Sequence, residues 1–553
     1  MFISTKQQST TKHPRCLKNR LINFILTAIL VSFSSLTNAT TLTVEQIIDA
    51  SSIFKFDENH SMFTSTAAPD ELSTTNGNTE STLGAQRLKA FKYALGIIAS
   101  ELRINQTIDI VFYDSDTNCD YYATASYAYS YQNGKNQIAN TLYPSSLANQ
   151  LLQTDTSNNS ADIWIRINPK YLNGSCNKKF NYGLYSNEKN VNAIDFVQLI
   201  MHEMTHGMGF EKRPSNDSNP FIYERMLWVK DKQDYYSNLN NDQRTEAQKV
   251  VSNIVFNGRI TRQQASNILD TSVKLVPQTT QESNIPKIDS NVVTTGALPE
   301  SGIVGQINIV NFDTCAISGN LGGKIVLLPD GCARKEFGYD GTQYDTIIKA
   351  QNQGASAIIT SAAETFRVSA FTDITIPVVT MPLSDYKNLQ SAIELLPSDT
   401  TYSLEKQANK LMGTDESGRP FVHTGLNLGS ASILLHWKPS VSPKPVNNRT
   451  VRNIMEPNTV NGLEYAQRSI RSTIPALIDM GWAVHSCGNG VVEEFEECDS
   501  GNINGTASCA QNCTLPGYCG DGVVNSATEE CDDGKNNNDN TVNACSSMCT
   551  VNK

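Results

Sequence analysis

Positive charge, and charge of either sign, is scarce in this sequence. Charged residues make up 18% of the 553 positions, and 44 Lys and Arg face 55 Asp and Glu, which gives a formal net charge of −11. Binding to a phosphate backbone needs a net basic face, so we do not expect nucleic acid as a partner. Hydrophobic residues still reach 39%, which is enough to build a core, and the length predicts several domains.

Long hydrophobic runs are also lacking. The apolar run from Leu21 to Phe33 is too short to span a bilayer, and small residues suited to signal peptidase follow it at Thr37–Ala39. No later stretch is longer, so the mature chain is expected to have no transmembrane segment. The run follows five basic residues: Lys6, Lys12, Arg15, Lys18 and Arg20. The pattern predicts a signal peptide over residues 1–39 and a secreted protein, with an N-terminal membrane anchor as the alternative.

The cysteine distribution agrees with export. Of 13 cysteines, Cys16 lies in the signal segment, and the other 12 are an even number, as disulfides in an oxidising compartment require. The spacing allows two local bridges, Cys119–Cys176 and Cys315–Cys332. The remaining eight cysteines crowd between Cys487 and Cys549.

Hydrophobic patterning divides the first half of the chain. Residues 40–85 are rich in Ser, Thr and Asn and could be a pro-segment. Apolar spacing predicts a helix over Leu83 to Leu102, and alternation predicts strands at Ile108 to Tyr113 and Ile163 to Asn168. Residues 225–280 look mostly helical and polar.

Short β runs alternating with a helical stretch predict a compact α/β unit over residues 287–400, after which residues 401–484 return to the composition seen before residue 287. The tail repeats itself: residues 485–513 and 514–553 each carry four cysteines with a shared C-G-x-G-V-V opening and an E-E-C-D core. Such small units depend on disulfides for stability. Their acidic, Asn-rich loops leave structural Ca²⁺ as an alternative to a solvated scaffold, without a defined ligand geometry to support it.

The segment His202-Glu203-Met204-Thr205-His206 is the candidate metal-binding and catalytic motif. Residues four apart on a helix share a face, so His202 and His206 can bind one metal ion, and Glu203, turned by about 100°, lies beside that ion. This spacing predicts one Zn²⁺ whose bound water gives its proton to Glu203 as general base. The helix itself is predicted by apolar residues three and four apart: Ile194, Val197, Met201 and Met204.

A catalytic zinc needs a third protein ligand and one open position. One type of ligand is a Glu on a following helix, for which Glu224 is the nearest candidate. The other is a His past a chain reversal, and Gly207 and Gly209 favour a helix that ends just after His206. A compact pattern would place that His at position 212, where this chain has Lys212.

The residues His202–Phe210 (HEMTHGMGF) resemble the active-site helix of leishmanolysin-like metzincins and their bacterial relatives. In that family a third His follows an insertion and precedes a Met-turn. This chain has Ile-Leu-Leu-His-Trp at 433–437 and Asn-Ile-Met-Glu-Pro at 453–457. The resemblance, which covers residues 85–285 and 400–484, therefore implies His436 as third ligand and Met455 as the hydrophobic floor. Glu224 and His423 stay open as alternative ligands.

Two further resemblances concern the other units. The segments 322–337, 350–360 and 376–389 resemble the protease-associated domain, which implies a module for protein contact or for shaping access, with a plain spacer as the alternative. The tail copies are similar to the Myxococcus-type cysteine-rich repeat of secreted bacterial proteins. The predicted fold class is therefore α+β: a metzincin-like zinc metallopeptidase domain over residues 40–286 and 401–484, interrupted by an α/β protease-associated domain and followed by small disulfide-rich repeats.

The expected activity is that of a secreted zinc endopeptidase acting on protein or peptide substrates. The strand at Ile163 to Asn168 is a candidate edge strand that could align an extended substrate by β-addition. Three alternatives remain: a non-catalytic adhesion or binding protein with a structural metal site, a metallopeptidase of another class that uses Glu224, and a zinc hydrolase with non-peptide substrates. Oligomeric state and cleavage preference have no signal in the sequence.

Overall fold

The computed structural model describes residues 50–546 with gaps at 114–117, 132–137, 139, 157–159, 185–192, 213–218, 279–291, 296–297, 300, 312–315, 318, 330–341, 362–373, 382, 426–433, 439–440, 442, 445–452, 457–469, 494, 502–503, 505–508 and 516–544. The predicted signal segment, the Cys315–Cys332 pair and nearly all of the second cysteine-rich repeat lie outside these residues. The described residues form a mixed structure of helices, strands and disulfides.

The helices are α1 (Glu71–Thr75), α2 (Leu83–Glu101), α3 (Ser145–Leu152), α4 (Pro169–Leu172), α5 (Phe196–Gly207), α6 (Ile222–Arg225), α7 (Asn241–Lys249), α8 (Arg259–Ile268), α9 (Thr342–Asn352), α10 (Leu383–Glu394) and α11 (Ile474–Met480). The strands are β1 (Phe54–Lys55), β2 (Leu102–Arg103), β3 (Ile108–Tyr113), β4 (Ala123–Tyr127), β5 (Tyr129–Tyr131), β6 (Leu142–Pro144), β7 (Ile163–Ile167), β8 (Lys179–Asn181), β9 (Ala193–Asp195), β10 (Leu227–Val229), β11 (Asp234–Tyr235), β12 (Ile254–Phe256), β13 (Thr271–Pro277), β14 (Val292–Thr295), β15 (Ile303–Ile309), β16 (Ile325–Leu328), β17 (Ala357–Ser361), β18 (Val378–Met381), β19 (Thr401–Leu411) and β20 (Ala483–Val484).

The larger core is built on a four-stranded sheet in the order β1-β3-β7-β4. β1, β3 and β7 run parallel, and β4 runs antiparallel to β7 with Ala125 opposite Ile165. Helices α2 and α5 pack together beside this sheet, and α5 lies against β4 and β7. The predicted helix at 83–102 and the predicted strands at 108–113 and 163–168 are confirmed to within one residue at each end.

The segment before α2 is part of this core. Phe54 pairs with Ile108 through β1 and β3, and Phe54 and Phe63 are buried with the main cluster. The Gln86 side chain, inside α2, donates to the carbonyl oxygens of Asp70 at 3.2 Å and Asn78 at 2.9 Å. Residues 50–82 are therefore fastened to the core by both apolar contacts and buried hydrogen bonds.

A second body of structure spans β13 to β19. Its seven-stranded sheet has the order β13-β19-β15-β16-β17-β18-β14, in which β15 to β18 are parallel neighbours. Apolar clusters cover both faces, with α10 residues in one and α9 residues in the other. The sheet takes in β13 and β19, which lie outside the predicted 287–400 boundaries, and Asp270 and Met412 meet where the chain enters and leaves.

The prediction that residues 225–280 are mostly helical is wrong. Besides α7 and α8, this region contains β10, β11 and β12 in a three-stranded sheet, and then β13. β12 is buried along its whole length, so its sequence shows no alternation that would identify a strand. Strands of two or three residues are too short for the two-residue alternation of apolar and polar side chains to be recognised.

Disulfide bonds occur in the larger core and in the first cysteine-rich repeat. Cys119 and Cys176 are bonded, and in the first cysteine-rich repeat the bonds are Cys487–Cys513 and Cys498–Cys509. Among the described residues, no helix combines the length and apolar character needed to cross a membrane.

Candidate metal centre

Helix α5 supplies the first two imidazoles. The Asp195 carboxylate accepts the backbone N–H of Gln198 and caps the helix start, and every residue from Phe196 to Gly207 is buried. The helix ends where Met208 N–H donates to Met204 and Gly209 takes φ +110°, a backbone conformation that glycine adopts easily. Two histidines and a glutamate on a fully buried helix must be compensated by hydrogen bonds or by a bound ion.

The structure brings a third imidazole to this helix. The ring centroids are 4.8 Å apart for His202 and His206, 5.1 Å for His202 and His436, and 5.2 Å for His206 and His436. One ligand atom from each ring lies within 4.8 Å of the other two. The chain thus gathers three histidines, two of them 234 residues apart, at a single point.

Backbone carbonyls orient two of the rings. His202 Nδ1 lies 2.7 Å from the Ile454 carbonyl oxygen, and His206 Nδ1 lies 2.9 Å from the Phe210 carbonyl oxygen. A carbonyl oxygen only accepts, so each Nδ1 carries the proton and each Nε2 keeps its lone pair. Metal-binding histidines are usually held in this way by an acceptor behind the ring.

The spacing of the nitrogens fits a small tetrahedral ion. The Nε2 atoms of His202 and His436 are 3.3 Å apart. Two nitrogens that bind one tetrahedral Zn²⁺ at about 2.05 Å lie roughly 3.3 Å from each other. Three histidine nitrogens, which leave one tetrahedral position for water or substrate, are a donor set that holds catalytic zinc.

Burial keeps two of the imidazoles, those of His202 and His206, neutral. Desolvation lowers the pKa of His202, although the Ile454 carbonyl works against it. Burial and the neighbouring His202 lower the pKa of His206 to about 3. Neutral imidazole is the form that binds a metal ion, so the site needs no proton release from these rings at neutral pH.

Glu203 lies beside the triad with its carboxyl buried. Burial, and then the nearby Glu211 carboxyl, raise the pKa of Glu203 to about 8, while a hydrogen bond from the Ala125 N–H lowers it. A cation bound between the three imidazoles would lower this pKa, because an opposite charge stabilises the carboxylate. The buried Glu203 carboxyl is therefore a candidate for proton exchange beside the triad.

The segment around Met455 supports the third imidazole. The backbone N–H of Trp437 donates to the Met455 carbonyl oxygen at 2.8 Å. Met455 is fully buried and follows Ile454, whose carbonyl oxygen contacts His202 Nδ1. Thr473 Oγ1 accepts from Trp437 Nε1 at 3.1 Å and donates to Asn453 Oδ1 at 3.0 Å. These contacts connect the chain on both sides of His436 to the turn that contains Met455.

The two alternative ligands occupy other positions. Glu224 Oε2 accepts the backbone N–H of Phe221 and caps α6, and Glu224 does not belong to the group of three ligand atoms. His423 pairs with His436 through the backbone, where its N–H donates to the His436 carbonyl oxygen at 2.8 Å. Neither residue is therefore among the three whose ligand atoms converge.

The prediction that residues 163–168 form an edge strand is wrong. β7 is paired on both sides, with β3 along one edge and β4 along the other, so it has no free edge. In the described part of the sheet the two edge strands are β1 and β4, and β4 is the one beside β7. Because Ala125 N–H donates to Glu203, the unpaired side of β4 faces the candidate site.

Several supporting groups have no signal in the sequence. The carbonyl oxygens of Ile454 and Phe210 are backbone atoms, so residue identity does not reveal them. Trp482, whose Nε1 donates to the Met208 carbonyl oxygen at 3.0 Å, lies in the segment Leu477–Trp482 that belongs to the metzincin resemblance, but the resemblance does not predict its contact with Met208. Position gives a clue only for Phe210, because the helix must end and reverse just after His206.

Comparisons with known proteins place this chain in no family. No protein-family model matches it, and no curated protein sequence matches it. The implied membership of the leishmanolysin-like metzincins, the protease-associated domain and the cysteine-rich repeat families therefore remains a prediction.

Solved structures show only partial similarity. A subtilisin-like protease, Apa1, from the Antarctic psychrotroph Pseudoalteromonas sp. AS-11 has 16% identity over 26% of this chain and 34% of its own, with a TM-score of 0.17. A zinc aminopeptidase from Bacillus subtilis has 18% identity over 27% and 35%, with a TM-score of 0.16. An aminopeptidase from Aneurinibacillus sp. strain AM-1 has 15% identity over 27% and 37%, with a TM-score of 0.16. The chain spans about a third of the length of these peptidases. Similarity this low supports no inference about the fold or the function of the protein.

Proposed function

We propose that this protein is a secreted zinc-dependent endopeptidase in which His202, His206 and His436 hold the metal ion. The convergence of three imidazoles, with two Nε2 atoms 3.3 Å apart, carries the proposal. When bound, Zn²⁺ supplies Lewis acidity, which polarises a carbonyl group and lowers the pKa of a neighbouring water.

Glu203 is proposed as the general base and acid. Its carboxylate, held by the Ala125 N–H, accepts a proton from the attacking water and then donates it to the departing amine. Burial, with a smaller effect from the nearby Glu211 carboxyl, raises the pKa of Glu203, which strengthens Glu203 as a base. Proton transfer by one positioned carboxyl commonly contributes about 10²- to 10⁴-fold to the rate.

An extended peptide is the substrate form that suits the site. Successive N–H groups of a strand point to opposite sides, so the backbone groups of Ala123, Ala125 and Tyr127 share the unpaired side of β4. A substrate strand can pair there and pass beside Glu203. We therefore propose proteins and peptides as substrates, with cleavage within the chain.

The decisive experiment compares the wild type with Glu203→Gln. We expect about 10²- to 10⁴-fold lower kcat/KM on a casein or peptide-library substrate, with unchanged zinc content, because Gln cannot transfer the proton. Glu246→Gln, on the exposed face of α7, is the matched control and should retain full activity. A wild type that binds zinc stoichiometrically and is as inert as Glu203→Gln would favour the adhesion-protein alternative.

The third ligand is tested separately by zinc content. His436→Ala should lose most bound zinc, since two imidazoles do not complete the site, whereas Glu224→Gln should retain it. Inductively coupled plasma mass spectrometry on the folded variants gives the ratio of zinc to protein. Retention of zinc by His436→Ala and its loss in Glu224→Gln would replace His436 by Glu224 as the ligand.

A further inference from the structure

We propose that the first cysteine-rich repeat (Cys487–Leu515) is a positioning element of the histidine centre, acting through the segment Ile470–Val484 that precedes it. This inference rests on the proposed function for its meaning, because it assigns the repeat a part in holding the metal. It differs from the sequence expectation, in which the repeats follow the peptidase domain as small separate units.

The segment Ile470–Val484 holds both parts of the triad. Trp482 Nε1 donates to the Met208 carbonyl oxygen at 3.0 Å, two residues beyond His206. Thr473 bonds to Trp437, the neighbour of His436, and to Asn453 in the Met455 turn. Helix α11 lies between Thr473 and Trp482, so its placement sets the relative position of the α5 end and the His436 strand.

A carboxylate ties α11 to the rest of the core. Asp479, in the last turn of α11, accepts the backbone N–H groups of Ile260 at 2.8 Å and Thr261 at 2.9 Å at the start of α8. The Thr261 hydroxyl donates to the same carboxylate at 2.7 Å. The segment is also supported by apolar packing in the main core, by the pairing of Val484 with Leu102 and by its contacts with the repeat.

The repeat packs on α11 as part of the main core. Cys487, Phe495 and Cys513 are buried in the same apolar cluster as Trp482. Asn512 Nδ2 donates to the Ile478 carbonyl oxygen at 3.2 Å, near the end of α11. The Cys487–Cys513 bond joins the two ends of the repeat at this contact.

Two arginines from the core fasten the repeat. The Arg103 guanidinium, on β2, donates to the carbonyl oxygens of Cys487 and, at 2.7 Å, Gln511. Arg259 Nη2 lies 2.6 Å from Glu497 Oε2, with both side chains 10% exposed, and donates to the Leu515 carbonyl oxygen at 2.6 Å. Removing one partner of such a buried pair leaves a charge without compensation, so these contacts resist separation.

Two of the contact side chains, Phe495 and Asn512, are specific to the first repeat, whereas Glu497 has a counterpart in Glu530. The sequence Phe495-Glu-Glu-Cys498 corresponds to Thr528-Glu-Glu-Cys531 in the second copy, which replaces the buried aromatic ring by a small polar group. Asn512, which precedes Cys513, corresponds to Met548 before Cys549. The two copies share the cysteine framework but not the groups that dock on α11.

The test uses the full-length chain and the zinc dissociation constant, measured by competition with a chromophoric chelator. Trp482→Phe retains an aromatic ring and removes the hydrogen bond to the Met208 carbonyl oxygen. Glu497→Gln weakens the ion pair that attaches the repeat to Arg259. We expect zinc to bind about three- to tenfold more weakly to each variant, at a temperature where circular dichroism shows both fully folded. Glu493→Gln, on the exposed side of the same repeat, should bind zinc like the wild type.

Unchanged zinc affinity in both variants, with a lowered thermal midpoint, would overturn the proposal and leave the repeat as a stabilising element only. Weaker zinc binding in both variants but not in Glu493→Gln supports it. The measurement needs no catalysis, so an inert wild type would defeat the proposed function without deciding this inference. Full activity with unchanged zinc binding in Trp482→Phe would defeat the inference alone.

Discussion

Asp195 begins α5 with a carboxyl that is 1% exposed. One oxygen accepts the Gln198 N–H, and the other has no hydrogen-bond partner in the part of the chain that the structure describes. Burial raises the pKa of Asp195 to about 8 against the opposing hydrogen bonds from Gln198 and Val197. In an unfolded chain this carboxyl titrates near pH 4, so folding binds a proton between roughly pH 4 and pH 8.

The stability associated with Asp195 is therefore present at low pH and declines as pH rises through that window, by up to about 1.4 kcal/mol per pH unit. Asp195→Asn retains an N-cap acceptor but does not titrate. We expect the variant to lose less stability than the wild type between pH 5 and pH 8, measured by urea unfolding with a chelator present. The exposed Asp242→Asn is the control, and parallel curves for Asp195→Asn and wild type would contradict the prediction.

At this scale the sequence predicts which side chains can meet within one helix but not how they are held. His202 and His206 follow from the four-residue spacing. His436 lies 234 residues from His202, where no periodicity applies, and only resemblance suggested it. The orienting carbonyls of Ile454 and Phe210 depend on the path of the backbone, which residue types do not encode.

Among the elements, helix α2 is in close contact with the segment before it, which contains Phe63 and Ser65. A Cβ at Gly84 would lie 2.3 Å from the Phe63 carbonyl oxygen and 2.6 Å from the Ser65 nitrogen. Both are backbone atoms, so no side chain can turn aside to relieve the contact. A pro-segment at 40–85 would have to be removed from the interior of the core.

We expect Gly84→Ala to lower the free energy of unfolding by about 1–3 kcal/mol, because it separates α2 from the segment that contains Phe63. Lys92→Ala, on the same helix, removes only an exposed pair with Glu58 and should cost less than about 1 kcal/mol. Chemical denaturation of both variants gives the comparison. Equal stability of Gly84→Ala and wild type would show that the segment is loosely held.

Strand order is the element-scale property that alternation could not supply. The pattern at Ile163 to Asn168 correctly identifies β7, but a strand next to an unpaired edge and a strand inside a sheet have the same inward and outward alternation. The insertion of β7 between β3 and β4 depends on tertiary contacts, so the edges of the sheet lie on β1 and β4 instead.

For the whole molecule, the proposed zinc ion would join two distant parts of the chain, helix α5 and the segment of His436, and its removal should weaken both together. Zinc at a hundred times its dissociation constant should stabilise the fold by about 2.7 kcal/mol relative to the chelated protein. Differential scanning calorimetry should show a higher midpoint with zinc than with chelator, and no zinc effect in His436→Ala. An equal zinc shift in that variant would place the ion elsewhere.

The body between β13 and β19 should be separable from the histidine centre. Met412 N–H donates to the Asp270 carbonyl oxygen at 2.8 Å, so a three-glycine link from Asp270 to Met412 can replace residues 271–411. Because that body has its own apolar clusters, we expect the shortened protein to bind zinc within about threefold of the wild type. Loss of zinc binding in a folded, shortened protein would show that the inserted body supports the site.

The distance along the chain between His202 and His436 has a consequence for the cell that makes this protein. During synthesis, Glu203 and two of the imidazoles emerge long before the third, and the whole body between Asp270 and Met412 must pass in between. An unfinished chain therefore carries only a partial ligand set. Under the proposed function, hydrolysis would wait until His436 has been synthesised, which would protect the producer's own proteins from an unfinished enzyme.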